Sequence, residues 1–344
     1  MRIAQLAPPW IAVPPAGYGG TEWVVQQLCD GLPPRGHEVV LYAAGDSHTG
    51  AELRACFPRA MPELMQRTSI DVCHVRFALD DILADGGFDL IHDHSGFLVP
   101  AFRRCLDLPP VLHTIHCSFN AETTPFYARF GGEVVYNAIS EYQRSQGPPG
   151  MDWAGVVYNA IAVEDWPFVP EKDDYLLAFG RVCEAKGFHL AIEAARRTGR
   201  RLIMAGVVQE QSADYFHERV EPHVDGEQIL FEGEVSLARK RELFAHAYAY
   251  VFPIVWPEPF GLVMIEALAT GTPVVALRQG SVPEVVTDGR TGFVRDDLDG
   301  LVAAVARVGE IDPGVCRAEV ERRFSVERMV GDYEAVYRRL VARR

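Results

Sequence analysis

The sequence lacks several features that would assign it to a major class of protein. No run of apolar residues approaches the length of about 20 residues that spans a bilayer. Positive charge is scarce: 33 Lys and Arg against 47 Asp and Glu give a net charge of -14, which disfavours binding to nucleic acid. A short basic run ends the chain, and we expect a solvated last helix turn there rather than contact with an anionic lipid surface. It comprises Arg338, Arg339, Arg343 and Arg344.

Cysteine pairs of the C-x-x-C type are also missing. The seven cysteines are scattered and odd in number, which predicts reduced, buried thiols rather than a disulfide framework. The opening sequence MRIAQLAPPW has prolines where a signal peptide needs an unbroken apolar region. We therefore expect a cytoplasmic protein.

The order strand, glycine loop, helix, strand occurs twice. Residues 3–7, 21–32 and 38–42 form the first set, and residues 175–179, 188–196 and 201–205 form the second. Further short apolar strands follow each set, separated by segments long enough for crossover helices, which is typical of parallel sheets. The predicted fold class is α/β, with two Rossmann-like, doubly wound domains.

The domain boundaries follow from a change in pattern. Residues 160–174 are rich in proline and acids without periodicity, so we place the linker there. The expected domains are residues 1–160 and 161–323. A C-terminal helix at 324–344 has apolar spacing that suits packing back on the N-terminal domain.

One segment combines two carboxylates with the start of a helix. It runs from Trp256 to Glu266 as W-P-E-P-F-G-L-V-M-I-E, and it predicts a tight loop and a helix beginning near Phe260. A helix N-terminus offers free N–H groups to a phosphate, and nearby carboxylates accept hydrogen bonds from sugar hydroxyls. We predict that Glu258 holds a transferred sugar and Glu266 a ribose. The alternative is that Glu258 caps the helix and Glu266 is solvated.

This E-x7-E segment resembles the signature of family 4 of the retaining glycosyltransferases, which have the GT-B fold. Gly180-Arg181 followed by Lys186-Gly187 resembles that family's G-R-x4-K-G, whose Arg and Lys bind the donor diphosphate. The resemblance implies that both cations neutralise the leaving nucleotide; solvated loop charges are the alternative. The donor-binding set that it implies in this domain is Arg181, Lys186, Glu258, Pro259, Phe260, Gly261, Leu262 and Glu266.

Two segments of the first domain resemble the same family. Gly19-Gly20-Thr21 is similar to its glycine-rich loop, where backbone approaches phosphates, so Gly19 and Gly20 join the donor-binding candidates. The run ending at His116 resembles P-x-x-x-T-x-H, whose last His lies near the reacting face of the sugar. The catalytic candidates are therefore His116, Arg181, Lys186 and Glu258.

The acceptor-binding candidates are His94 and Phe119. His92 and His94 share one strand face, but no third or fourth ligand follows at a recognisable spacing, so packing or acceptor contacts are favoured over zinc. Aromatic residues in the loops suggest stacking on a sugar ring or an apolar acceptor. They are Trp10, Tyr18, Phe97, Phe119, Phe126 and Tyr127.

The resemblance implies a metal-independent enzyme without a cofactor that uses a nucleotide sugar, with uridine favoured over guanosine. The acceptor would be a sugar or natural product, as in a pathway to an oligosaccharide antibiotic. Departures from the family pattern surround the sugar pocket. The family often has a Pro-Ser pair four residues before the first Glu, whereas the segment Pro253-Ile-Val-Trp256-Pro257 is one residue longer and lacks the Ser. Gly280-Ser281 replaces the more usual Gly-Gly, and Asn159-Ala160 the more usual Asn-Gly. These changes leave the donor sugar open.

Three other functions fit parts of the sequence. A nucleotide-sugar epimerase shares the architecture and needs no acceptor. An NAD-dependent oxidoreductase also has βαβ halves, but no G-x-G-x-x-G follows the first strand. A non-catalytic sugar-nucleotide sensor would be expected to have lost one of the cations or carboxylates, and all are present.

Overall fold

The computed structural model describes residues 1–17, 19–65 and 67–343. Contacts divide the chain into two units: unit 1 contains Met1–Asn159 with Val326–Arg344, and unit 2 contains Ala160–Ser325. Each unit is built around a parallel sheet, which confirms the predicted fold class.

Unit 1 has a seven-stranded sheet. Its strands are β1 (Arg2–Leu6), β2 (Glu38–Tyr42), β3 (Glu52–Arg54), β4 (Leu90–Asp93), β5 (Val111–Thr114), β6 (Val135–Ala138) and β7 (Asp152–Val156). The order across the sheet is β3-β2-β1-β4-β5-β6-β7, so the direction of growth reverses between β1 and β4. Strands β4 and β5 are buried at every position, as expected where helices cover both faces of a parallel sheet.

Five helices alternate with these strands. They are α1 (Gly20–Gly31), α2 (Thr68–Asp85), α3 (Leu98–Phe102), α4 (Thr123–Phe130) and α5 (Glu141–Gln146). Helix α5 shows why the chain starts a helix where it does: the Ser140 hydroxyl accepts a 2.9 Å hydrogen bond from the Gln143 N–H. This cap satisfies a donor that the first turn would otherwise leave unpaired.

Unit 2 has a six-stranded sheet with order β10-β9-β8-β11-β12-β13. The strands are β8 (Tyr175–Phe179), β9 (Arg201–Ala205), β10 (Ile229–Phe231), β11 (Ala249–Phe252), β12 (Val274–Leu277) and β13 (Gly292–Arg295). The helices are α6 (Phe188–Thr198), α7 (Ala213–Arg219), α8 (Leu237–His246), α9 (Leu262–Ala269), α10 (Val282–Val285), α11 (Leu298–Val305) and α12 (Pro313–Arg323). The direction of growth here reverses between β8 and β11.

The last helix, α13 (Val326–Val341), belongs to unit 1 although the chain reaches it after unit 2. Its buried residues recur with helical spacing, so one apolar stripe faces the rest of unit 1. They are Met329, Val330, Tyr333, Val336, Tyr337 and Leu340. Glu334 adds polar anchors at 3.1 Å from Arg35 and 3.2 Å from His37. Unit 1 is therefore completed by a segment that is distant in sequence.

Three features differ from the sequence-based expectations. The edge strands β3 and β7 were not predicted, because each is only partly buried and lacks an apolar run. The expected linker at 160–174 instead packs on unit 2, where Lys172 Nζ donates to the carbonyl oxygens of Ala245 at 2.7 Å and Thr270 at 2.9 Å. The prediction of buried cysteines is wrong for three of the seven free thiols, since those of Cys73, Cys105 and Cys117 are exposed.

Among the described residues, every helix is too short or too polar to cross a membrane.

Candidate active site

The loops after β8 and β11 meet at the point where the sheet of unit 2 reverses direction. In open α/β sheets, ligands bind outside the carboxyl ends of the strands at such a point. The loop after β8 carries Arg181 and Lys186, and the loop after β11 carries Glu258. Two motifs that lie far apart in sequence therefore supply one edge of the same sheet.

Lys186 and Glu258 form an ion pair between Nζ and Oε2. Their side chains are only 15% and 13% exposed. The indole N–H of Trp256 donates to the same carboxylate oxygen at 3.1 Å. The two loops are also joined through backbone, since the Val255 N–H donates to the Ala185 carbonyl at 3.0 Å. Both donors thus bind Oε2, and within the described part of the chain these hydrogen bonds leave Oε1 to meet a ligand.

Glycines allow the loops to approach this closely. Gly187 has a φ of 71°, and a Cβ there would collide with the Pro253 carbonyl oxygen. Gly280 has a φ of 53°, and a Cβ would collide with the backbone of Glu258. Because both positions combine left-handed backbone with direct backbone contact, a side chain at either would displace Glu258 or Lys186.

Arg181 lies on the same loop as Lys186 and is held more loosely. Its Nη1 donates to Gln209 Oε1 at 3.3 Å, across from the end of β9. Gln209 is neutral, so the guanidinium keeps its full positive charge for an anionic ligand.

Helix α9 begins at Leu262, two residues later than predicted. Gly261 takes a left-handed conformation with a φ of 79° and ends the turn before the helix. Pro259 and Phe260 are buried in this turn, whereas Leu262 is partly exposed in the first helical turn. The Met264 N–H donates to the Gly261 carbonyl oxygen at 3.0 Å. Helix geometry leaves the N–H groups of the two preceding residues without an intrahelical acceptor, which suits an anion.

Glu266 lies one turn further along α9 and is only 7% exposed, so it is not the solvated side chain of the alternative interpretation. Lys240 of α8 donates from Nζ to its Oε1 at 2.7 Å. Among the described residues, the other oxygen, Oε2, is buried without a hydrogen-bond partner. A buried carboxylate oxygen left unpaired is costly, so a ligand that donates a hydrogen bond would be bound favourably.

In unit 1, histidines gather where the sheet reverses between β1 and β4. His94 follows β4 and His116 follows β5, and their rings are joined by a 2.8 Å hydrogen bond between Nδ1 and Nε2. His92 packs on His94 with ring centroids 3.9 Å apart, as the shared strand face predicts. Burial lowers the pKa of His92 and His94 well below the ordinary value and that of His116 to about 3. All three rings are therefore neutral near pH 7.

His113 belongs to a separate buried group. Its Nδ1 lies 2.6 Å from Asp93 Oδ2, and Ser95 donates to Asp93 Oδ1 through its N–H at 2.9 Å and its hydroxyl at 2.6 Å. In residues 1–17, 19–65 and 67–343, no three His, Cys, Asp or Glu side chains are placed to hold a metal ion.

The glycine-rich loop leads directly into α1. A Cβ on Gly19 would lie 2.6 Å from Pro15 Cβ and 3.0 Å from Glu22 Oε2, so the loop is tightly packed there. Gly20 is the first residue of α1. Glu22 is 5% exposed, and burial raises its pKa to about 7. Sequence reasoning did not single out this carboxyl.

The aromatic candidates for the acceptor site divide into core and surface. Phe119 is partly buried against Tyr127 at 5.2 Å between ring centroids and borders the core of unit 1. Phe97 is 40% exposed and contacts Phe126 edge-on at 4.9 Å. Tyr18, also a candidate, lies outside the described residues. Phe97 thus presents more ring surface to a ligand than Phe119.

Comparison with known families bears on both units. Residues 18–146 match the family model described as Glycosyltransferase Family 4, and residues 164–313 match the model described as Glycosyl transferases group 1. Both models describe glycosyltransferases, and the two parallel-sheet units have the GT-B fold. The group 1 match includes Arg181, Lys186, Glu258 and Glu266, whereas the family 4 match includes His94 and His116.

The proteins that this chain resembles include enzymes whose names indicate different substrates. It is 34% identical over 197 residues to glycogen synthase of Mycobacterium tuberculosis, covering 54% of this chain but only 46% of that enzyme. It is 26% identical over 339 residues to phosphatidyl-myo-inositol mannosyltransferase of Mycolicibacterium smegmatis, covering 91% and 86% of the two chains. A solved structure, AviGT4, a glycosyltransferase involved in avilamycin A biosynthesis, matches with a TM-score of 0.73 at 26% identity over 100% of this chain and 98% of that one.

The group of predicted donor residues in unit 2 also includes neighbours that the motifs did not indicate. Lys240, Gln209 and Trp256 each contact a predicted donor residue. Trp256 was recognised only as a departure from the family pattern. Lys240 and Gln209 lie in other segments with no motif of their own, and only the folded chain brings them to the site.

Proposed function

We propose that this chain transfers a glycosyl group from a nucleoside-diphosphate sugar to an acceptor hydroxyl with retention of anomeric configuration. The observation that carries the proposal is the cluster of predicted donor-binding residues in unit 2. It combines two cations, a helix N-terminus and two carboxylates that each have one oxygen available for a ligand, at the reversal point of the sheet.

Each part of this group suits one part of such a donor. Arg181 and Lys186 would bind the diphosphate together with the first N–H groups of α9. Glu258 would accept hydrogen bonds from sugar hydroxyls through Oε1, since Oε2 is engaged by Lys186 and Trp256. Glu266 Oε2, buried and unpaired among the described residues, would accept from a ribose hydroxyl. The donor is UDP-linked in this proposal, by resemblance to the family.

The fixed cations make a metal ion unnecessary in the proposed reaction. As the bond between the anomeric carbon and the phosphate oxygen breaks, negative charge grows on the diphosphate and is stabilised by Arg181 and Lys186. The acceptor oxygen bonds to the anomeric carbon on the same face, and its proton passes to the departing phosphate oxygen. No protein nucleophile takes part, and the roles of Glu258 and His116 are to bind and orient.

The unit 1 candidates belong to the same proposal. By resemblance to the family, Gly19 and Gly20 remain the donor-binding candidates of unit 1, and His116 remains its catalytic candidate. His94 and Phe119 remain the acceptor-binding candidates. A natural-product acceptor of the kind made in antibiotic biosynthesis is supported by the exposed aromatic surface at Phe97 and by the likeness to AviGT4.

Calorimetric titration tests the donor site directly. The protein is titrated with UDP, GDP and NAD, each with and without Mg²⁺, and the titrations are repeated on Lys186→Ala. We expect micromolar, metal-independent binding of one nucleoside diphosphate that the variant loses. Binding of NAD alone, or of no nucleotide, would contradict the proposal.

Product analysis then separates transfer from the other functions. Incubation with donor alone would yield an epimerised sugar nucleotide if the chain were an epimerase, and binding without turnover of any donor would indicate a sensor. Retention is read from the anomeric coupling constant of the product. A covalent glycosyl-Glu258 species in mass spectra of quenched reactions would contradict the mechanism.

A further inference from the structure

A continuous chain of hydrogen bonds in unit 1 connects His116 to the C-terminal helix. Its members lie at the ends of β1, β4 and β5 and on α13. His116 Nε2 lies 2.8 Å from His94 Nδ1, and His94 Nε2 lies 3.2 Å from Gln5 Oε1. On the other side of the amide, Gln5 Nε2 lies 3.2 Å from Tyr337 OH, which lies 2.6 Å from His92 Nδ1. Of these residues, the proposed reaction uses only His94 and His116.

The side-chain amide of Gln5 determines which atoms donate and which accept along this series of hydrogen bonds. Its carbonyl oxygen can only accept, so the proton of His94 must lie on Nε2. Burial lowers the pKa of His94 well below the ordinary value, and a neutral imidazole carries one proton. His94 Nδ1 is therefore an acceptor, and His116 donates to it from Nε2. Since His116 is also neutral, its Nδ1 carries a lone pair.

The other side of Gln5 agrees with this direction. Gln5 Nε2 donates to the Tyr337 hydroxyl oxygen, which leaves that hydroxyl to donate its proton to His92 Nδ1. Neutral His92 then has its proton on Nε2, which donates to Thr114 Oγ1 at 2.8 Å. In each hydrogen bond between Thr114 and His116, one group is therefore the donor and the other the acceptor. Exchanging donor and acceptor in one of these bonds would exchange them in all the others.

We propose that Gln5 and Tyr337 are positioning residues that hold His116 as its Nε2–H tautomer, so that its Nδ1 accepts a hydrogen bond from a substrate hydroxyl. The nature of that hydroxyl rests on the proposed glycosyl transfer, whereas the tautomer does not. In the described part of the chain, the contacts of His116 engage only Nε2, and the residue is partly exposed. The Nδ1 lone pair is thus the polar feature that His116 offers to a ligand.

The Tyr337 hydroxyl joins the Gln5 amide to His92 and so helps to hold the amide in its observed orientation. Without the Tyr337 hydroxyl, the side-chain amide of Gln5 keeps, among the described residues, only its hydrogen bond with His94. The amide can then turn so that its N–H group donates to His94 Nε2 instead. His94 then carries its proton on Nδ1 and donates to His116, whose own proton moves to Nδ1. The reversed ring would donate to a ligand where the native ring accepts.

The tautomers are measured by long-range ¹H–¹⁵N correlation spectra of the full chain, labelled with ¹⁵N only in histidine. Single histidine variants assign the signals. We expect the protonated nitrogen to be Nε2 in His92, His94 and His116 of the wild-type protein without ligand. Nδ1–H in His94 and His116 would overturn the proposal, and the tautomers themselves are read from the wild-type chain.

Two tyrosines on the same helix provide a matched pair of variants. Tyr337→Phe is expected to convert His94 and His116 from one tautomer to a mixture. Tyr333→Phe also removes one buried hydroxyl of α13, but that hydroxyl contacts Thr114 and Asn137 and reaches Gln5 only through Thr114 and His92, so its effect on the two tautomers should be smaller. Equal effects of both variants, or no effect of Tyr337→Phe, would overturn the role of Tyr337.

Activity provides a separate readout. With the donor and acceptor found for the wild-type enzyme, kcat/KM of Tyr337→Phe should fall in proportion to the population lost from the Nε2–H form, about twofold at equal populations. An unchanged kcat/KM with mixed tautomers would overturn the hydrogen bond from His116 to substrate. Failure to find any transfer would contradict the proposed function and leave the tautomer result to be judged by the spectra alone.

Discussion

Lys186 and Glu258 contact each other through Nζ and Oε2, although 72 positions separate them in the chain. In the proposed reaction, the ammonium group binds phosphate and the carboxylate binds sugar. A bound donor must therefore share Lys186 with Glu258, and the ion pair competes with the nucleotide for the same cation.

Glu258→Gln should uncouple nucleotide affinity from turnover. The amide no longer neutralises Lys186, so we expect nucleoside diphosphate to bind about two- to fivefold more tightly, the size of a partly exposed ion pair. Turnover should fall about 100-fold or more, because the neutral amide is a weaker acceptor for the sugar hydroxyls. Calorimetry and steady-state kinetics measure the two effects.

Glu234→Gln is the control for this charge change, since Glu234 is an exposed carboxylate of the same unit. It should change neither affinity nor turnover by more than about twofold. Weaker nucleotide binding by Glu258→Gln would show that the carboxylate does not compete for Lys186.

Variants at Glu266, the second carboxylate of the E-x7-E segment, allow effects on the free energy of unfolding to be separated from effects on nucleotide affinity. Lys240→Met leaves Glu266 without its cation, and the variant should lose about 1–3 kcal/mol of unfolding free energy. Adding Glu266→Gln removes the unpaired charge and should restore most of that loss. The nucleotide affinity of the double variant should stay below that of the wild type, because the amide introduced by Glu266→Gln replaces the carboxylate oxygen assigned to the ribose. Urea unfolding and calorimetry on the two variants test this, and recovery of both properties in the double variant would refute a ribose contact at Glu266.

The sequence was sufficient to predict that the donor candidates lie together. Arg181 and Lys186 directly follow β8, and Glu258 follows β11, so the order of strands alone places them at one sheet edge. Motif spacing could not predict that Glu266 pairs with Lys240, because α8 packs beside α9 only through the tertiary fold. The helix start was misplaced by two residues, since the left-handed turn at Gly261 is invisible to apolar periodicity.

The environment of His116 could not be predicted from any local pattern. Gln5 and Tyr337 are separated by 332 positions, and the hydrogen bond between them requires α13 to return to unit 1. A glutamine in the middle of an apolar strand was the one available signal, because a polar side chain buried in a parallel sheet needs a partner. The sequence did not indicate which partner it would be.

The buried carboxyl of Glu22 should make stability depend on pH. Burial raises its pKa from 4.5 to about 7, so its neutral form is favoured by folding. This stabilisation is complete below about pH 4.5 and is lost as the pH rises through 7. Glu22→Gln should match the wild type at pH 4 and exceed its unfolding free energy by about 1–3 kcal/mol at pH 8. The control is Glu122→Gln, an exposed carboxylate of the same unit, and an equal difference at both pH values would exclude titration of Glu22.

The buried histidines should act in the opposite direction. Burial depresses the pKa of His92, His94 and His116 below the ordinary 6.5, so the unfolded chain takes up protons that the folded chain does not. The stabilisation they provide is present above pH 6.5 and is lost as the pH falls. Each ring contributes a slope of about 1.4 kcal/mol per pH unit below that value.

His116→Gln should reduce this slope by about one proton, as measured by urea unfolding between pH 5 and 7. His48→Gln is the matched control, because that side chain is exposed in the folded chain. The same depressed pKa predicts that no ionisation of His116 appears near pH 6.5 in the profile of kcat/KM. A step there that His116→Gln removed would mean that this ring exchanges a proton during turnover, which would be incompatible with a neutral ring that only accepts a hydrogen bond.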